Sequence, residues 1–174
     1  GTKEFTLRAS EQYQKGAIEL PVLRPRFMTI GTAKVSGSAE EAFSMGMLRR
    51  GHDRVTMNVS RVVSEAKGVA VTLADAGYTA PAPKKIKVLG REVLGAFLTG
   101  IHSLRLANQI TDYDTKIAGK LAWVMSGGDL SEPAWVDEEY LLDLEREAFV
   151  SLCGEPKTLE RIQGMLKTGK PVRN

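Results

Sequence analysis

Between Arg91 and Gly169 four apolar-periodic segments follow one another, three of them closed by glycine, and this run restricts the fold more than any other feature. REVLGAFLTGIHSLRLANQ is succeeded by TDYDTKIAGKLAWVMSGG, DEEYLLDLEREAFVSLCG and PKTLERIQGMLKTG. Thr111 reads as the N-cap of the second, and Gly127-Gly128 as its stop. The last places Leu159, Ile162, Met165 and Leu166 at helical spacing. It stops at Thr168-Gly169, where glycine suits the left-handed cap and Pro171 bars continuation. Gly95 and Gly100 weaken the first segment by about 1 kcal/mol each relative to alanine, and they permit close helix contact. Helices of this length are marginal alone in water, so each must bury its apolar face.

The first half is read the same way. Lys3 to Lys15 carries Phe5, Leu7, Ala9 and Tyr13 among charges, and Gly16 closes it. In SGSAEEAFSMGML, Ser38 is an N-cap with Glu41 three residues on, a capping box, and Ala42, Phe43 and Met45 face inward before Gly46. Asn58 caps VSRVVSEAKGVAVTLADAG, which sets Val62, Val63, Ala66, Val69, Ala70 and Leu73 on one broad face and ends at Gly77. Pro81 and Pro83 make TAPAPKK an exposed connection, and IKVLG reads as a short strand or extended chain. The expected fold is mainly α, with at most one or two short strands. Its divisions, within one compact unit overall, are 1–78, a Pro/Lys-rich connection at 79–90, and a helical 91–174.

GMLKTGKP tests whether a nucleotide site is present, because Gly164, Gly169 and Lys170 fall at P-loop spacing. That chemistry needs a strand before the loop, a helix after it and a hydroxyl for Mg²⁺. Here a helical pattern leads in, Pro171 holds the hydroxyl's place, and three residues remain after it, so the spacing is coincidental. Of the two histidines, His52 sits in the loop RRGHDR and His102 inside an apolar helix, with no carboxylate or thiol at a helpful short spacing to His102. Cys153, the single cysteine, excludes an internal disulfide and reads as part of an apolar stripe. No catalytic set and no metal site emerge from the residues.

The 174 residues are 43% hydrophobic and 26% charged, with a net charge of +3. The basic residues are mixed with acids, as in DLERE, and aromatics are 6%, which argues against a nucleic-acid surface. No apolar run reaches about 18 residues and no signal-peptide pattern opens the chain, so a cytoplasmic protein without a membrane span is expected.

Two blocks carry a family likeness. AKVSGSAEEAFSMGML resembles the crotonase (enoyl-CoA hydratase/isomerase) segment that follows the catalytic half, and LEREAFVSLCGEPKTLERIQGMLKTGKPVRN resembles the crotonase C-terminal helix pair with its lysine-containing tail. GTKEF, KKIKVLGRE, ITDYDTKIAGKLAWVMSGG and the terminus together are similar to the end of bacterial multidomain 3-hydroxyacyl-CoA dehydrogenases of fatty-acid β-oxidation, which carry a crotonase part after the dehydrogenase. The resemblance makes 1–78 the helical end of a crotonase-like core and 91–174 its helical extension. It places Gly1-Thr2 just past the second catalytic glutamate. The acid/base carboxylates, the oxyanion hole and the NAD-binding domain would then lie outside this chain, which has no G-x-G-x-x-G.

The resemblance further implies that Lys167 and Lys170 meet a CoA phosphate; the alternative is two solvated lysines complementing a helix C-terminus. Thr168 and Gly169 stand where some relatives have basic residues. NAD and acyl-CoA are implied for the parent enzyme, with the remainder of the parent polypeptide and a homo-oligomer as partners. From a different class comes a stand-alone helical module that binds partner helices. Both readings expect apolar surface that promotes self-association.

Overall fold

Ser38, Asn58, Thr111, Gly127 and Gly169 all act where their spacing predicts in the computed structural model, which describes residues 1–174. In chain order there are helices α1 (Thr2–Ser10), α2 (Leu20–Gly31), α3 (Ala39–Ser44) and α4 (Val62–Asp75, after a 3-10 turn at Val59–Arg61), then strand β1 (Lys85–Val88). Helices α5 (Gly90–Leu106) and α6 (Asp112–Ser126), strand β2 (Ala134–Asp137), and helices α7 (Glu138–Cys153) and α8 (Pro156–Thr168) complete it. The fold is therefore mainly α with two short strands, as expected. Contacts divide the chain into two units, one of Gly1–Lys34 with Lys84–Asn174, the other of Val35–Pro83.

The first unit has two apolar clusters, and α6 feeds both. On one side Ala122 and Met125 meet Leu23 and Phe27 of α2 and Phe97 and Ile101 of α5. Phe27 and Phe97 stack there with ring centroids 4.4 Å apart. On the other side Val124 joins Leu7 of α1, Ile86 and Val88 of β1, and Leu141, Leu144 and Ala148 of α7. The strands pair antiparallel from Lys85↔Asp137 to Val88↔Ala134. Alternation turns Ile86 and Val88 inward, both fully buried. Lys3 of α1 fastens the same region through Glu138, with Nζ 2.6 Å from Oε2.

Thr111 and Asp114 form a complete capping box: the Asp114 N–H donates to Thr111 Oγ1 at 3.0 Å, and the Thr111 N–H to Asp114 Oδ2 at 3.0 Å. At α3 only half of the expected box forms. Ser38 Oγ accepts the Glu41 N–H at 3.1 Å, but the Glu41 carboxylate reaches back one residue further, to the Gly37 N–H at 2.7 Å. Gly127 ends α6 with φ +94°, and a Cβ there would lie 2.5 Å from Val88 Cγ2. Gly95 and Gly100 differ from expectation: a Cβ at either would meet nothing within 4 Å, so neither marks a close helix contact.

Three elements depart from the periodicity. The helix expected over Lys3–Lys15 stops at Ser10, whose Oγ accepts the Lys87 N–H of β1 at 2.7 Å. α2 forms although it contains two prolines. Pro21 sits in the first turn, where its missing N–H has no partner to lose, while Pro25 lies inside, between Arg24 and Arg26, with the buried Leu23 and Phe27 two residues away on either side. β2 is four residues long, too short to show a period, and exists through its pairing with β1.

The second unit holds α3, the 3-10 turn and α4. Ala42 is its one buried apolar residue, and α4 buries none.

Candidate functional site

At the N-terminal end of α6 the carboxylate of Asp114, already part of the capping box, also receives Arg161 of α8, whose Nη1 stands 2.7 Å from Oδ1. Arg161 continues to Asn174, with Nε 2.7 Å from Oδ1 and Nη2 3.2 Å from the backbone oxygen, which also accepts from Thr111 Oγ1 at 3.2 Å. Its guanidinium lies 5.1 Å above the Tyr113 ring, and the Tyr113 hydroxyl is 2.6 Å from Thr158 Oγ1. Burial pushes the Asp114 carboxyl up. The Thr111 backbone N–H and the Arg161 guanidinium outweigh burial and hold it below the usual carboxylate range.

Beside this network runs an apolar groove of about 660 Å³. Ile117 and Leu121 of α6, Phe149 and Leu152 of α7 and Ile30 of α2 line it, together with Arg161. Phe149 is 63% exposed. The size and lining suit an apolar ligand or side chains of another polypeptide.

Lys167 and Lys170 lie on the last turn of α8 and just beyond it, exposed and outside this groove. Gly169 caps α8 in the left-handed conformation at φ +65°, its N–H donating to Met165 O at 2.8 Å. Thr168 Oγ1 takes the Lys170 N–H at 3.1 Å. Gly164 serves packing: a Cβ there would stand 2.2 Å from Val172 Cγ2, so the tail folds onto the glycine. His52 and His102 are exposed, Cys153 is half-buried, and no three metal-ligating side chains gather. Asp114 and Arg161 were not singled out by the sequence, although T-x-x-D before an apolar run announces the first of them.

A nicotinamide dinucleotide needs a parallel strand, a glycine-rich turn and a helix N-terminus against the pyrophosphate. The two strands here are antiparallel and form the whole sheet, so the residues present do not fit that cofactor. No helix is long and apolar enough to cross a membrane.

No family model matches the chain, and no solved structure matches it. A curated relative does: a probable 3-hydroxyacyl-CoA dehydrogenase of Bacillus subtilis (strain 168) is 45% identical over 174 residues, the whole of this chain. The chain spans 22% of that relative's length, and the likeness makes it related to a dehydrogenase over a stretch that contains no dinucleotide fold.

Proposed function

We infer that the chain is the helical portion of a longer fatty-acid β-oxidation enzyme, a 3-hydroxyacyl-CoA dehydrogenase with an enoyl-CoA hydratase (crotonase-like) part, and that it is inactive alone. The observation that carries this reading is identity of 45% at full coverage of this chain but 22% coverage of the relative. The dehydrogenation and hydration chemistry, with NAD, then belongs to polypeptide beyond residues 1–174, in the cytoplasm. These helices supply packing, contacts between subunits and one wall of an acyl-CoA site.

In that site Lys167 and Lys170 hold a CoA phosphate. Their exposure at the end of α8, with no ion pair on either side chain, supports the assignment, since lysine binds phosphate as a point charge. Calorimetric titration tests it. CoA is expected to bind more tightly than dephospho-CoA, and Lys167→Ala with Lys170→Ala to weaken CoA binding about tenfold while leaving dephospho-CoA unchanged. Equal binding of the two ligands, with neither weakened by the double substitution, removes the lysines from the site. Hydration of crotonyl-CoA by the purified chain removes the claim of inactivity.

The exposed apolar faces of α4 and α8 favour a second reading, a stand-alone module that binds partner helices. The reading frame upstream of Gly1 separates the two: a crotonase core supports the first, a start codon the second.

A further inference from the structure

Helices α2 and α5 both pack on α6, and a trough of about 440 Å³ lies between them, within the roughly 300–1,000 Å³ typical of small-ligand sites. α5 lines that space with Ala96, Gly100 and Ser103, which are too small to fill it. Phe27, Phe97 and Ile101, all buried, are joined in the lining by the half-buried Leu20, Met28 and Leu104. The stack of Phe27 on Phe97 holds this apolar surface in place. The lining runs from Leu20 to Met28 on one helix and from Ala96 to Leu104 on the other, about 12 Å on each at roughly 1.5 Å per residue. All of it belongs to the unit Gly1–Lys34 with Lys84–Asn174, and none of it to the groove beside Arg161.

The occupant follows from the charge. Arg24 is the single charged residue of the lining, and its guanidinium enters no ion pair and no side-chain hydrogen bond. Neighbouring arginines are engaged: Arg26 donates to Val22 O at 2.6 Å, and Arg105 pairs with Asp112. No carboxylate lines the trough, so a cation gains nothing there. An apolar surface of this length with one free guanidinium matches a molecule that is apolar along its body and carries one negative charge at an end. We propose that the trough between α2 and α5 binds medium-chain aliphatic carboxylates, with the chain on Phe27 and Phe97 and the carboxylate on Arg24. The site is built from this chain alone, so it stands independently of the dehydrogenase reading.

Calorimetric titration of the 174-residue chain with octanoate, octanol, octyltrimethylammonium and butanoate, each below its micelle concentration, tests it. Octanoate is expected to bind about fivefold more tightly than octanol, and the ammonium ion not to bind. Butanoate keeps the head but shortens the chain, and is expected to bind at least about tenfold more weakly than octanoate. Arg24→Gln removes the advantage of octanoate over octanol and leaves octanol unchanged. Gly100→Leu fills the trough and weakens both by at least about tenfold; a Cβ at Gly100 meets nothing within 4 Å, so the helix accepts it. If that variant does not fold, Ser103→Leu fills the same space. Octanoate that does not bind, or binds no better than the ammonium ion, overturns the proposal. So does octanoate binding that the filling variants leave unchanged, which assigns it to another surface. A chain that sediments as a dimer and is split to monomer by Gly100→Leu gives the trough to a second copy and overturns it as well.

Discussion

Glycines of this chain that look alike in sequence do opposite work. Gly127 holds φ +94° with Val88 pressed against it, so Gly127→Ala adds both backbone strain and a clash with a fully buried side chain. A loss of about 3 kcal/mol is expected in denaturant unfolding, with the midpoint shifting and the slope unchanged. Gly95 and Gly100 lie in α5 with open space where a Cβ would be. Gly95→Ala and Gly100→Ala are expected to stabilise by up to about 1 kcal/mol each. The stop at Gly127-Gly128 was legible because nothing but glycine suits a left-handed cap there. The open surroundings of Gly95 and Gly100 were not, because they depend on how α5 is placed against α2 and α6, which local spacing does not encode.

Among the elements, α6 is the organiser, and at its N-terminus the Thr111–Asp114 box is joined by Arg161 and Asn174. Asp114 has a carboxyl pKa lowered in the folded state, so the stability it confers is present above its ordinary pKa and lost as pH falls through the lowered value. Asp114→Ala is therefore expected to cost about 1–2 kcal/mol at neutral pH, with the difference from wild type shrinking below about pH 4. Thermal melts of both proteins across that range check it; a gap that persists into strong acid counts against the ionic contribution. The helices themselves were legible wherever a cap, an apolar period and a stop agreed, as at Thr111, Ser38 and Thr168-Gly169. α2 was hidden by Pro21 and Pro25, and β2 by its length. The Asp114–Arg161 pair, its members 47 positions apart, is visible only once α8 lies across α6.

At the scale of the whole molecule the two units are unequal. Gly1–Lys34 with Lys84–Asn174 has two buried clusters, whereas Val35–Pro83 buries a single apolar side chain, Ala42. Limited trypsin digestion is expected to cut first at Arg54, Arg61 and Lys67 and to leave a resistant piece beginning near Lys84. First cuts within α5 to α7, read by mass spectrometry, contradict this ranking. The bare faces were legible as apolar periodicity, but which of them would stay uncovered was not, because a pattern that demands burial does not say against what. One consequence of the β1–β2 ribbon remains. Its strands stand at the two ends of a stretch that contains both α5 and α6, from Lys85 to Asp137. Closing so long a span costs chain entropy until the intervening helices have come together. The ribbon is thus expected to close late in folding, after α5 and α6 have come together.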